Sequence, residues 1–334
     1  MVSYVRKTAK VFLPVSVPVP CFHLRPKHEG YVSSVYSVYS VSSLTKLYPG
    51  TNTPANDGIS FNVVEGEIFG LLGDNGAGKS TLVKQMVNLL QPTRGTVRLY
   101  GRPVQEDPLH VPRHVGYMPQ AARALNSLTV SEALYFTSHL RGCNRREASR
   151  ERERLLQLWD LHAIRTAQCS RLSGGQQRLL QLAAAMAGQP PILILDEPTN
   201  ELAPQRRRHV WQTLRAENRE KGTTIIFITH DAIEAEKIIQ QVGILHKGRL
   251  VALGKPSTLK KRLSRELRLE LRFQPESPPN LPIGLRPQKL AKGHWLVRLD
   301  QDQVDATLSA IDLARIDDFQ LSSATLEDLY LHYT

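Results

Sequence analysis

The sequence predicts an α/β protein, a mainly parallel β-sheet flanked by helices, followed by a small C-terminal α+β module. Three observations carry this. Short apolar runs at Ile192–Leu195, Thr223–Ile228 and Val242–Leu245 are separated by helical stretches, as strands buried between two helical layers are. A glycine-rich loop, Gly73–Ser80, stands between a strand-like run and a helix-like one. After Lys255 the pattern changes: Leu267, Leu269, Leu271 and Phe273 alternate with Arg268, Glu270 and Arg272, the period-2 mark of a half-buried strand.

In chain order, residues 1–42 read as a low-complexity, weakly ordered extension ending in the near-repeat Val32–Ser43. Ser60–Val64 and Glu67–Leu72 read as strands turning at Glu65-Gly66, Thr81–Leu90 as a helix stopped by Pro92, and Thr96–Tyr100 as a strand closed by Gly101. Ser127 to about Ala187 is helical and basic. Lys247-Gly248 turns the chain into a last strand of this part, Arg249–Leu253. Beyond a proline-rich link (Pro275, Pro278, Pro279, Pro282) the strand pattern returns at Trp295, Val297 and Leu299, with helices at Val304–Ile311 and Thr325–His332. The expected domains are therefore 1–42, 43–255 and 256–334.

The 334 residues are 41% hydrophobic and 22% charged, which excludes a wholly disordered chain. Three widely spaced cysteines, Cys21, Cys143 and Cys169, fit a reducing compartment rather than a disulfide framework. No apolar run of about 18 residues exists, so a span of the chain's own through a membrane is not expected. Val11–Cys21 mimics a signal sequence, but Pro14, Pro18 and Pro20 interrupt it. The net charge of +12 calls for an anionic partner, and the surplus falls in residues 1–255, because the remainder is balanced. The basic run from Lys255 to Arg272 has no aromatic residue interleaved before Phe273, so nucleic acid is not the expected partner. The run Arg141, Arg145, Arg146, Arg150, Arg152 and Arg154, mixed with Glu147, Glu151 and Glu153, reads mainly as a solvated helix face, with anionic headgroups as the alternative.

Two motifs carry chemistry. Gly73-Asp74-Asn75-Gly76-Ala77-Gly78-Lys79-Ser80, followed by Thr81, fits G-x-x-x-x-G-K-[ST] in its required strand–loop–helix setting. Backbone N–H groups there are expected to close round phosphate oxygens, with Lys79 reaching the β- and γ-phosphates and the Ser80 hydroxyl ligating Mg²⁺. The apolar strand at Ile192 ends in Asp196-Glu197, which delivers both carboxylates to the carboxyl edge of a parallel sheet. Asp196 is expected to hold Mg²⁺, and Glu197 to accept a proton from the water that attacks the γ-phosphate.

With Leu172-Ser173-Gly174-Gly175-Gln176-Gln177-Arg178 the chain resembles the ATP-binding cassette (ABC) family over roughly Leu44–Lys255. The resemblance implies the P-loop NTPase fold of that family, with an antiparallel β subdomain and an inserted helical subdomain at about 121–187. It gives Tyr48 the aromatic position that stacks on adenine. Gln120, in Gly116-Tyr-Met-Pro-Gln120, matches the glutamine that watches Mg²⁺ and couples to the membrane partner. His230 matches the histidine that contacts the γ-phosphate. Ser173, Gly174, Gly175 and Gln176 would face ATP bound to a second cassette, so the chain is expected to pair with a copy of itself or a paralogue. Where the family usually carries an inter-protomer aspartate, this chain has Ala203, in Asn200-Glu201-Leu202-Ala203-Pro204.

Three classes are consistent with such a cassette: a transporter subunit, a soluble ATPase acting on ribosomes or DNA, and a nucleotide sensor. A single cassette without a coiled-coil insertion, and with Glu197 and His230 both present, favours the transporter subunit. Asn126–Leu134 is similar to a segment of bacterial drug, antibiotic, sodium and polysaccharide exporter cassettes, and the ending Thr325–Tyr333 to the C-terminus of daunorubicin-resistance-type subunits, with an importer subunit as the alternative. The expectation is an ATP hydrolase on the inner face of the cell membrane, driving a separate permease.

Overall fold

The computed structural model describes residues 37–334 except 121–123, 232–235, 237, 264–266, 283, 313–314, 324 and 334. Residues 1–36, with the signal-like Val11–Cys21, lie outside the described residues.

An antiparallel sheet opens the fold: β1 (Ser37–Lys46), β2 (Asn56–Val64), β4 (Arg94–Leu99) and β5 (Arg102–Pro103), in the order β2-β1-β4-β5. Residues 37–42, expected in the extension, are instead the first half of β1, which is hydrogen-bonded on both sides. The reason is packing. Val38, Tyr39 and Val41 are buried, and the Tyr39 hydroxyl donates to the carbonyl of Met86 at 3.3 Å. That bond ties the strand to α1 (Lys79–Met86), the helix that leaves the phosphate loop. The two-serine break that makes the segment read as low complexity is a β-bulge at Ser42-Ser43. Gly95 closes over it in the left-handed region (φ 83°), where a Cβ would strike both serine carbonyls.

The central sheet has the order β10-β9-β3-β8-β7-β6, with β3 (Ile68–Leu72), β6 (Val115–Met118), β7 (Ile192–Asp196), β8 (Thr224–Thr229), β9 (Gln241–His246) and β10 (Arg249–Gly254). Only β10 runs antiparallel, as a hairpin on β9. β3, β7 and β8 are buried on both faces, which is why they read as continuous apolar runs. Ile192, Ile194, Ile226 and Ile228 pack with α1 and the antiparallel sheet. Leu193, Leu195, Ile225 and Phe227 pack against helices on the other face.

Those helices include α3 (Val130–Leu140), α4 (Arg145–Leu158) and α5 (Gly174–Met186), which fill the expected helical insertion, and α6 (Pro204–Lys221). The short helix α2 (His110–His114) precedes β6. Trp159, Leu134, Leu155 and Leu182 join the same core as the sheet, so the insertion has no core of its own. The charged run from Arg141 to Arg154 is less solvated than its composition suggests. Arg141 turns inward and caps α5, donating to the carbonyls of Ala185 (2.6 Å) and Ala187 (2.7 Å). Burial pushes its guanidinium down to about 10. Glu151 is likewise buried and held by Arg154 at 2.7 Å.

The C-terminal module is a second antiparallel sheet, β12 (Gln288–Ala291), β13 (His294–Leu299), β11 (Leu267–Phe273) and β14 (Ile316–Ser322), over the helix Val304–Ala310. The final helix, Leu326–Tyr333, leaves it: Leu326 and Leu329 are wholly buried in the core of the central sheet. There the Leu326 N–H donates to Glu236 at 3.0 Å, and Lys260, on the helix Pro256–Leu263, pairs with the same carboxylate.

Candidate nucleotide-binding site

Gly73–Gly78 bends between β3 and α1 at the carboxyl edge of the sheet. Gly78 is the N-cap of α1 with φ 100°, pressed so closely on the Ala55 carbonyl that no Cβ fits. Its carbonyl accepts from Asn56 Nδ2 at 3.0 Å, and Asn56 Oδ1 in turn accepts from Gln85 at 2.7 Å. This buried amide pair braces the loop from behind. Nothing in the sequence pattern singles it out. Lys79 Nζ donates to the carbonyls of Gly73 (2.5 Å) and Asp74 (2.8 Å), and burial lowers its pKa against the pull of Glu197, Asp196 and Asp74.

A cavity of about 380 Å³ opens over the loop, lined by Asp74, Asn75, Gly76, Gly78, Lys79, Ser80 and Thr81 and, across from them, Gln120, Asp196 and Glu197. β7 carries the last two there, as its strand-end position implies. Burial, then the neighbouring Glu197 charge, pushes Asp196 up to about 6, with Lys79 and Arg178 pulling it back. A divalent cation fits this site: an excess of buried negative charge faces the Ser80 hydroxyl and the Gln120 amide, oxygen donors of the kind Mg²⁺ takes. Among the described residues no group of three or more His, Cys, Asp or Glu could hold a metal unaided. Protein oxygens and substrate phosphates would share it.

Glu197 is only 4% exposed and lies in the left-handed region at φ 53°. One carboxylate oxygen accepts from His230 Nδ1 at 2.7 Å, the other from the Thr229 hydroxyl at 3.2 Å. β8 and the turn after it therefore aim Glu197 into the cavity, while the His230 side chain stays half exposed beside it. Tyr48 stands at the rim, its hydroxyl 3.4 Å from Thr81 Oγ1 and Lys46 Nζ 5.5 Å from its ring centroid.

Ser173, Gly174, Gly175 and Gln176 are not among the cavity's lining. They start α5 as a capping box, in which the Ser173 hydroxyl accepts from Gln176 N–H at 3.4 Å and the Gln176 side chain accepts from Ser173 N–H at 3.0 Å. Gln176, expected on the nucleotide, is thus employed on its own helix. Sequence reasoning also missed Arg178. Its buried guanidinium donates to the Gln120 carbonyl at 3.2 Å, which joins α5 to the cavity's far wall; burial lowers its pKa, against the pull of Glu201, Asp196 and Glu197.

Ala203 is the N-cap of α6 and offers no side-chain acceptor to the first turn, where Pro204 follows. Ala203→Asp is expected to stabilise the fold by about 1 kcal/mol, the ordinary worth of an N-cap acceptor. The urea midpoint measures it, and an unchanged or lower midpoint would count against the cap.

A second concavity of about 610 Å³ lies between α1, α2 and α3, lined by Val87, Leu89, Leu109, Val111, Pro112, Tyr117 and Leu140 among others. Leu89 is 68% exposed and Leu140 86%.

A phosphate-cradling loop facing a strand-end carboxylate pair on one sheet edge defines a P-loop nucleotide-binding cassette. The chain matches the ABC transporter family over residues 56–200. It is 33% identical over 289 residues to the daunorubicin/doxorubicin resistance ATP-binding protein DrrA of Streptomyces peucetius, a match covering 86% of this chain and 83% of that protein. It is 39% identical over 203 residues to the Nod factor export ATP-binding protein I of Burkholderia thailandensis, covering 61% and 66%. With the human retinal-specific phospholipid-transporting ATPase ABCA4 it shares 36% over 70% of its own length but spans only 10% of that much longer protein. Among solved structures, an ATP-binding subunit of an ABC transporter superposes with TM-score 0.63 at 27% identity, covering 68% of this chain and 93% of that one. A dimeric cassette in a post-hydrolysis state with ADP and Pi superposes with TM-score 0.61 at 25% identity, covering 65% and 98%. This chain belongs to the ABC transporter family, as an ATP-binding cassette.

Proposed function

We propose that this chain is the ATP-hydrolysing subunit of an exporter, and that two cassettes close over two ATP molecules to drive a separate membrane permease. The observation that carries the reading is the division of the site. The cavity gathers Asp74–Gly76, Gly78–Thr81, Gln120, Asp196 and Glu197, whereas Ser173–Gln176 lie outside it, on the exposed end of α5. One chain thus offers two half-sites, and a second chain brings the missing half to each. The dimeric form of one solved relative, and the export named for others, support this.

In this reading the P-loop N–H groups and Lys79 hold the phosphates, and Tyr48 and Thr81 flank the nucleoside. Ser80, Asp196 and Gln120 would hold Mg²⁺, which neutralises charge developing between the β- and γ-phosphates. Glu197, aimed by His230 and Thr229, takes the proton of the attacking water. His230, half exposed, is free to turn one ring edge to the γ-phosphate while Nδ1 holds Glu197. Arg178 transmits the position of α5 to Gln120.

The groove between α1, α2 and α3 is the dock for the permease. Its exposed leucines, Leu89, Leu109 and Leu140, surround Tyr117 of β6, and among the described residues no helix is long and apolar enough to cross a membrane. In this reading the chain works on the inner face of the cell membrane, docked on the permease, with its basic surplus toward anionic headgroups. Leu140→Asp, on the groove's rim, is expected to cut the membrane-associated fraction in the producing cell severalfold while leaving the ATPase rate of the purified chain within about twofold. An unchanged membrane fraction would argue against the groove as the dock.

A further inference from the structure

Glu201 lies on the turn between Glu197 and α6, and its placement is not required by hydrolysis within one chain. Its backbone is left-handed, φ 65°, a conformation suited to glycine. Its Oε2 lies against Gly174 so closely that a Cβ on that glycine would run into it, while its carbonyl and the Leu202 side chain flank Gly175. Burial lowers the pKa of Arg178, one turn along α5, and among the carboxylates opposing that shift Glu201 comes first. A carboxylate thereby lies across the start of α5, where a helix end favours an anion. Two residues on, Ala203 carries no carboxylate at all.

In the proposed two-cassette arrangement the anion that must reach this helix end is the γ-phosphate held by the other chain. Two anions cannot share it. We propose that Glu201 is a positioning residue that gates the signature segment: its carboxylate covers Gly174 in the single chain and has to swing off before two chains close over ATP. The inference rests on the two-cassette reading and adds to it a built-in resistance to closure. The side chain is exposed, so its rotation breaks no core packing. Glu201 is outside the cavity of its own chain, so ATP binding to one chain does not depend on it.

The test uses the full chain carrying Glu197→Gln, to keep ATP intact, with Glu201→Gln or Glu201→Gly added. ATP is titrated while dimer is followed by sedimentation velocity, and single-chain affinity is read with a fluorescent ATP analogue at dilute protein. Both added substitutions are expected to lower the ATP concentration for half-maximal dimer by about tenfold, the order set by removing one repulsive charge. The difference should shrink in high salt, which a packing effect would not do. Single-chain affinity should stay within about twofold, since no contact to bound nucleotide is removed. Equal or weaker dimerisation in both variants overturns the gate, as does a gain confined to Glu201→Gly, which would be relief of backbone strain. If the parent binds ATP but neither it nor any variant dimerises, the two-cassette reading fails and the gate falls with it. If the parent dimerises and the variants match it, the gate alone fails.

Discussion

Glu197→Gln is expected to lower ATP turnover by about a thousandfold, ~4 kcal/mol of barrier, while ATP stays bound. The side chain is almost fully buried and fixed at both oxygens, by His230 at 2.7 Å and Thr229 at 3.2 Å. An amide of the same size keeps that position but cannot take a proton from water at neutral pH. Because the Thr229 hydroxyl can reverse and accept from the new NH₂, the loss should be chemical rather than structural. Phosphate release measures turnover, and filter retention of radiolabelled ATP measures binding. Hydrolysis at the parental rate would remove Glu197 from the role of base.

Lys79→Met is expected to weaken ATP binding by about a hundredfold, ~3 kcal/mol, the upper range for a hydrogen bond to a charged group. Methionine keeps much of the buried stem and deletes the charge. In the nucleotide-free chain the ammonium already gathers the loop, through the carbonyls of Gly73 and Asp74, and offsets Asp196 and Glu197. The substitution should therefore also lower the stability of the nucleotide-free protein, since two buried carboxylates lose a counter-charge. Equilibrium binding of a fluorescent ATP analogue checks the first effect and thermal unfolding the second. A loss of affinity below tenfold would put the main phosphate contact elsewhere.

The parts of the site legible in the sequence are those whose chemistry is written in consecutive residues. Gly73–Ser80 and Asp196-Glu197 each lie on one strand end, so local pattern places them, and the sheet brings them together. His230 follows the neighbouring strand and arrives beside Glu197 for the same reason. What stayed hidden depends on contacts between distant segments. Asn56 braces Gly78 across 22 residues, and Arg178 reaches Gln120 across 58. Arg141 looks like one more solvated cation until the end of α5 is seen to need a cap. The fold shows the same division. Strands buried on both faces announce themselves, but β6 is only four residues long. β12 is exposed throughout and β14 mostly so, and neither leaves a periodic trace. The start of β1 was obscured because its serines line a bulge and its edges, where hydroxyls replace the usual polar partners.

The burial of Leu326 and Leu329 in the core of the central sheet has a consequence for biosynthesis. A nascent chain can pair β3, β8 and β9 soon after they emerge, yet that core stays open on one side until the helix Leu326–Tyr333 has left the ribosome. Domains that fold as units during synthesis normally finish before the next one begins. A chain lacking the last helix would leave that core uncovered beside the helix Pro256–Leu263 and β9, against which Leu326–Tyr333 packs. Quality control in the cell would thus have a physical mark by which to tell a finished cassette from a truncated one.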